Sequence, residues 1–353
     1  MMRITRREFG VLAGAGMLVG GIKAQAGSPD VIVPGWDLPA NLDPHQILDL
    51  GMLSYDLNTY DNLYRYEDNP PNLTPWLAES HSGSADGLTW DFKLRQGVKF
   101  HDGSEVTADD VVYSFQRIIG IGKAPAASFL PILKLEHVTA PDRYTVRFQL
   151  ERPFGPFISV IPIVAIVNRN LVKANEKEGD WGAAWLASNE AGSGAYRLIP
   201  STYIPIEKAD MEKFDDHFQG WSDNPQPIKR VEFRPSQVTS TRVLALLNGS
   251  IDMTDTFLPA DQVERIQKAN NAHVERNVTM RIFVIRMNNT KPPFDNINAR
   301  KCFAHAFNYP GFINEILKGN AQRDPVPLPL NLWGIPADVD GYDFDLPRAK
   351  EYW

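Results

Sequence analysis

The chain is short of the residues that chemistry at a reaction centre usually needs. It has one cysteine, Cys302, in 353 residues, so no internal disulfide can form. Its seven histidines, His45, His81, His101, His137, His217, His273 and His305, are scattered singly. No G-x-S-x-G, H-E-x-x-H or C-x-x-C occurs, which leaves a hydrolase or zinc enzyme without its sequence signature. Runs of Lys and Arg are missing too, and the net charge is −7; both argue against a nucleic-acid partner. The N-terminal apolar run, Val11–Ile22, is too short and too glycine-rich to span a bilayer as a helix.

What remains is an ordinary globular composition, 43% hydrophobic and 22% charged. A chain of this length exceeds one typical core, so two or more lobes are expected. Arg3, Arg6 and Arg7 precede the apolar run, and Ala24-Gln25-Ala26 offers small residues where a signal peptidase reads. Thr5-Arg6-Arg7-Glu8-Phe9 is similar to a twin-arginine export signal, with an ordinary Sec signal as the alternative. Residues 1–26 are therefore expected to stay outside the fold and to be removed near Ala26, giving a periplasmic protein. They hold four basic residues and one acidic one, so the remainder carries about −10, a charge suited to solubility.

Periodicity sketches the elements. Asp30–Pro34 reads as a short strand and residues 54–63 as a helix, followed by a polar loop at Asn69-Pro70-Pro71-Asn72. Leu88, Trp90, Phe92 and Leu94 alternate with polar residues, the pattern of a half-buried strand. After a His101-Asp102-Gly103 turn, Thr107 and Asp110 form a capping box for a helix with Val111, Val112, Phe115, Ile118 and Ile119 on one face. A second alternating strand covers residues 142–150, and residues 154–167 read as buried but irregular. Short strands are expected at 197–199, 231–233 and 281–287, and helices at 240–247, 259–270, 295–308 and 311–317, the last two separated by Pro310. Asp345 and Pro347 open a further helix that ends on Tyr352 and Trp353 with nothing after them to pack against, which is read as a truncated sequence. Cys302 falls on an apolar helix face as an inert buried thiol. The acidic residues Asp338, Asp340, Asp343 and Asp345 lack the glycine offset of an EF-hand.

Eight stretches in fixed order carry a resemblance: Leu42-Asp43-Pro44-His45, Leu73–Glu79, Gly87–Phe100, His101–Val112, Gly192–Leu198, Leu246–Met253, Asn288–Phe294 and Tyr342–Lys350. Together they resemble the extracellular solute-binding proteins of family 5, which serve peptide, nickel and opine ABC transporters. Ser193 and Ala195 stand where that family's G-T-G-P-Y-R-L pattern has Thr and Pro. The resemblance implies an α/β (mixed α+β) fold, a two-lobed clamshell like other periplasmic binding proteins. Residues 27–57 plus 185–265 would form the ligand-facing domain of lobe I, 58–184 an inserted subdomain, and 266–353 the start of an incomplete lobe II.

The same resemblance implies function and site. The protein would capture a solute, most simply an oligopeptide, and deliver it to ABC permease subunits, as a monomer, with no cofactor, no metal and no catalysis. A signalling input module, or a binder of opines, oligosaccharides or nickel chelates, is the alternative. Leu48, Asp49 and Leu50 would face the ligand, Asp49 as a partner for an ammonium or as a solvated loop carboxylate. Phe129 would be a ligand-contacting aromatic or a core residue. Asp255, Thr256 and Phe257 would offer an edge, and Thr279 and Arg281 a crossing strand, where Arg281 could fork onto a carboxylate or stand exposed. Trp36 and Trp185 would be stacking platforms or core. His101 is read as a turn residue.

Overall fold

The computed structural model describes residues 20–22, 30–48, 50–68, 71–224, 226–255, 258–329, 332, 334–336 and 338–353, with backbone alone at 20–22 and Leu50. The chain divides into two compact units, Met1–Thr256 with Ala269–Arg276, and Phe257–Lys268 with Asn277–Trp353.

In chain order the first unit holds β1 (Gly20–Ile22), β2 (Val31–Ile32), α1 (Leu50–Thr59), β3 (Tyr64–Glu67), β4 (Asn72–Pro75), β5 (Ala78–Gly83), β6 (Thr89–Leu94), α2 (Ala108–Ile121), β7 (Val138–Asp142), β8 (Thr145–Gln149), α3 (Phe157–Val160), α4 (Arg169–Ala174), α5 (Ala183–Leu186), β9 (Tyr196–Leu198), β10 (Ala209–Lys213), β11 (Arg230–Phe233), α6 (Thr239–Leu247) and β12 (Ala272–Val274). The described part of the expected export segment, β1, runs antiparallel to β12. Thr5–Phe9 and Ala24–Ala26 lie outside the described residues.

Two four-stranded sheets organise this unit. One has the order β2-β11-β10-β9, with β2 parallel to β11 and the rest antiparallel. Its core gathers Ile32, Trp36, Met52, Tyr55, Tyr196, Met211, Val231, Phe233 and Met253. Tyr113, Val167 and Val172 join the same core, so side chains from the stretch expected to be a separate insert also fill it. The other sheet is an antiparallel meander of order β5-β6-β8-β7. Trp90 pairs with Phe148 and Phe92 with Val146 across β6 and β8, which keeps the apolar sides of both strands on one face. That face meets α2, whose Val111, Phe115 and Ile118 are fully buried. Each buried phenylalanine contributes roughly 1.5–3 kcal/mol by leaving water, and Phe92, Phe115, Phe148 and Phe157 pack edge-on in one chain of rings.

The helix that supports this sheet starts and stops where its residues dictate. The Asp110 carboxylate accepts from the Thr107 backbone N–H at 2.9 Å and from its hydroxyl at 2.8 Å, satisfying an end group that the helix cannot. Gly122, in the left-handed conformation at φ 65, closes the other end by donating to Ile118 O.

The second unit contains α7 (Ala260–Gln267), α8 (Ile297–Ala306), α9 (Tyr309–Gly311, continuing as a π-helical turn Phe312–Ile316) and α10 (Leu346–Glu351). Four expectations need correcting here. Residues 281–287 form no strand: no ladder partner lies along them among the described residues, and apolar content alone cannot satisfy backbone polar groups. Pro310 does not separate two helices but sits in the first turn of α9, capped by Asn308, where its missing N–H costs nothing. Tyr352 does find a partner, its ring lying parallel to His305 at 5.9 Å, although Trp353 is 97% exposed. Asp345 caps α10 as expected, accepting from Arg348 N at 3.0 Å. Cys302 is half-buried rather than buried.

Candidate functional site

Backbone direction picks out one edge of the first unit. β2 and β11 run parallel, and the chain beyond α6 runs parallel to β2 on its other side, bridging Pro34 to Met253. Gly35 N donates to Met253 O at 2.9 Å and Asp252 N to Val33 O at 2.8 Å. Three segments thus end at the same side of the sheet. In open α/β sheets ligands bind outside the carboxyl ends of such strands. Gly35 eases the approach, since a Cβ there would lie 2.3 Å from the tip of Ile251 at Cδ1 and 3.3 Å from Met253 O.

The chain leaving this edge is pinned by Arg242, a buried residue of α6. Its guanidinium pairs with Asp255 Oδ2 at 2.7 Å and donates to Thr254 Oγ1 at 3.3 Å. It also donates to the Ser236 carbonyl in the connection after β11. One planar fork therefore ties together two of the loops at the carboxyl edge, the geometry that arginine suits better than lysine. Trp36, the residue after Gly35, is buried against Phe233 with ring centroids 6.1 Å apart.

The path of the chain into α1 is set by a second buried pair. Arg117 of α2 donates from Nη1 and Nη2 to the two oxygens of Asp43, at 2.7 and 2.6 Å, and from Nε to Trp181 O at 2.7 Å. Asp43 also accepts from His45 N and Gln46 Nε2. Burial pushes the Asp43 carboxyl up, but the bonds and charge of Arg117 outweigh it and hold the group below its ordinary value. His45, wholly buried, donates from Nε2 to Ala165 O at 2.8 Å. Burial first, and the Arg117 charge second, push its pKa down to about 4, so it is neutral at pH 7. These bonds fix residues 43–46, and the next residues are the ones expected to meet ligand.

A third cluster joins the cores. The Asp61 carboxylate accepts from Trp76 Nε1 at 2.6 Å, Ser193 Oγ at 2.7 Å and Arg65 Nη2 at 3.2 Å, with His217 Nε2 at 3.5 Å. Burial raises its pKa, yet the His217 charge and contact, then Arg65 and Trp76, bring it to about 2. The Gly192–Gly194 loop lies backbone-to-backbone on the end of α1, with Gly194 N donating to Thr59 O at 3.0 Å.

The expected ligand contacts separate on this frame. Leu48 is 47% exposed just before α1. Asp49, Thr256 and Phe257 lie outside the described residues, as does the side chain of Leu50, the first residue of α1. Phe129 is corrected to a core residue: it is fully buried, edge-on to Phe115 at 5.5 Å, and has no surface to give a ligand. Asp255 is at the carboxyl edge but already paired with Arg242. Thr279 is half-buried and Arg281 exposed, both in the second unit. Trp36 is core, and Trp185 packs partly buried against the same core. Arg242 and Arg117 were missed because an arginine inside a helix reads as solvent-facing; the pairing carboxylates are 13 and 74 residues away. Among the described residues no group of three metal-ligating side chains converges.

Comparisons with known proteins agree with this architecture. A profile of the family described as "Bacterial extracellular solute-binding proteins, family 5 Middle" matches residues 72–353. The chain belongs to that family. It is 31% identical over 321 residues to the probable D,D-dipeptide-binding periplasmic protein DdpA of Escherichia coli K12, covering 89% of this chain and 60% of that protein. Similarity to the periplasmic oligopeptide-binding protein OppA of Haemophilus influenzae is 30% identity, covering 74% of this chain and 50% of that one. Among solved structures, the periplasmic binding protein DppA of Helicobacter pylori, in complex with the peptide STSA, superposes with a TM-score of 0.75 at 27% identity, over 91% of this chain and 65% of that one. The chain thus spans between half and two thirds of the length of these relatives, and its mixed α/β fold is that of periplasmic binding proteins.

Proposed function

We propose that the protein captures a short peptide outside the cytoplasm and delivers it to the permease of an ABC transporter. The observation that carries this reading is the 31% identity to a probable D,D-dipeptide-binding periplasmic protein, sustained across 89% of the chain. Capture of this kind needs no bond to break. A solute that touches two bodies only when they close shifts the population toward the closed form by its differential affinity. Exclusion of water then strengthens each polar contact inside.

In this reading Leu48, Asp49, Leu50, Asp255 and Thr256 are ligand contacts carried by the first unit, and Phe257, Thr279 and Arg281 are ligand contacts carried by the second. Arg281, exposed, carries the fork that a peptide carboxylate fits. Thr5–Phe9 directs twin-arginine export, with cleavage near Ala26, and the protein works in the periplasm as a monomer without a cofactor or catalysis. The test is a thermal-shift screen of the protein purified from its own cells against L-dipeptides, D,D-dipeptides, longer peptides, opines and oligosaccharides. A peptide at a hundredfold excess over its Kd should add about 2.7 kcal/mol of stability. A shift with opines or sugars alone would replace the peptide reading, and hydrolysis of the added peptide would replace binding by catalysis.

A further inference from the structure

His101 opens the turn between β6 and α2, where Asp102 accepts from Ser104 N at 2.9 Å and Asn168 Nδ2 at 2.8 Å. The turn would be complete without the imidazole. Instead the ring is buried and reaches the connection ahead of β9. Its Nδ1 lies 2.8 and 2.9 Å from the two oxygens of Glu190, and its Nε2 lies 2.9 Å from Gly194 O. Its backbone N–H donates to Gly192 O at 2.9 Å. The Phe214 ring closes over it edge-on at 4.8 Å.

We propose that His101 is a proton-dependent latch between the two cores of the first unit, fastening the connection ahead of β9 through both ring nitrogens, at Glu190 and at Gly194 O, only as an imidazolium. Both ring nitrogens face acceptors. A neutral imidazole carries one N–H, so deprotonation would turn one of the two contacts into lone pair against lone pair. The acceptors are not free to adapt. Glu190 also receives Gly192 N at 2.8 Å, and Gly194 O belongs to a loop pressed on the α1 backbone.

The charges around the ring favour the proton. Glu190 faces it from the connection ahead of β9, and Asp61 acts on it from the segment after α1. Asp102, in its own turn, is directed at Ser104 and Asn168. Lys99 is already engaged with Asp216, and the His217 ring is turned to Asp61. Burial pushes the imidazole pKa down, but the charge and hydrogen bond of Glu190, with the Gly194 carbonyl, bring it above its ordinary value. A raised folded value means the latch contributes fully below the ordinary histidine pKa near 6.5. It is lost as pH rises through the folded value.

The loop it fastens lies on α1, the helix that begins at Leu50, two residues after Leu48. Alkaline pH should therefore loosen the support of that helix, whatever solute the protein binds.

The test is histidine-labelled NMR of the intact chain, with His101 assigned by the resonance lost in His101→Gln. Two ring N–H signals and a titration midpoint above 6.5 are expected for His101. Between 6.5 and that midpoint, the unfolding-constant ratio of His101→Gln to wild type should fall by up to tenfold per pH unit. Glu190→Gln, which keeps an acceptor but removes the charge, should bring the His101 midpoint down and serves if His101→Gln does not fold. A midpoint at or below 6.5, or a single ring proton at pH 6, would overturn the latch.

Discussion

Arg117 and Asp43 face each other through two parallel hydrogen bonds of 2.7 and 2.6 Å, both side chains without solvent exposure. The pair joins the helix of the meander sheet to the turn that precedes α1, so packing in one core sets the backbone path in the other. A buried pair of this sort adds little over well-packed apolar residues. Breaking it from one side, however, leaves a charge in the interior.

Arg117→Met should therefore cost about 3–5 kcal/mol. Asp43→Asn in the Arg117→Met background should recover part of that loss, because no uncompensated carboxylate remains. Urea unfolding of the two single variants and the double variant measures the coupling. A loss near zero in Arg117→Met would mean that the Asn41 and Gln46 contacts to the Asp43 turn suffice.

Acid should act in two windows. His45 has a folded pKa of about 4 against an ordinary value of 6.5, so the unfolded chain takes up the proton first. Stability should fall as pH drops from about 6.5 to 4, by roughly 3 kcal/mol at most. Asp61, at about 2, contributes stability that is whole above its unfolded value and drains as pH falls from about 4 toward 2. His45→Gln should flatten the upper window and leave the lower one. Equal slopes in both proteins between pH 6.5 and 4 would reject the assignment.

Two glycines should respond very differently to one methyl group. A Cβ on Gly192 would lie 1.9 Å from Thr59 O, a backbone atom that cannot swing away. Gly97 has φ 74 and nothing within 4 Å. Gly192→Ala should cost several kcal/mol, on the order of 3 or more, since overpacking must move α1 against the loop. Gly97→Ala should cost only about 1 kcal/mol, from the left-handed backbone. Comparable melting temperatures for the two variants would show that the loop gives way.

The sequence displayed those elements whose burial alternates or whose ends are capped. β6, β8 and α2 fall where Phe92, Phe148 and the Thr107–Asp110 box place them. β5 was not visible: five of its six residues are exposed, so no alternation marks it and only its pairing with β6 makes it a strand. The segment 281–287 erred the other way, apolar but in no strand ladder among the described residues, with Phe283 75% exposed. For the candidate site, the motifs could only nominate the residues near Leu48 and Asp255. Their supports, Arg117 and Arg242, could not, because the order of a buried ion pair is a property of the fold rather than of spacing. Phe129 shows the reverse limit, as a ring on a ligand and a ring in a core have the same local sequence.

The hairpin between β9 and β10 holds a residue ill-suited to its conformation. Ile206 has φ 58, in a turn where Glu207 N and Lys208 N both donate to Ile204 O at 3.0 Å. For a β-branched side chain the left-handed region costs on the order of 1–3 kcal/mol. Its side chain is largely exposed, so truncation gives up little burial. Glycine pays roughly 0.5–1 kcal/mol in backbone entropy, less than the strain it removes. Ile206→Gly and Ile206→Asn should each stabilise the protein by about 1 kcal/mol, a rise of roughly 2–4 °C in Tm for a unit of this size. Ile206→Val keeps the branch and should change nothing. Differential scanning calorimetry separates the cases: if glycine and valine give the same Tm, the hairpin relaxes in solution and the turn stores no strain.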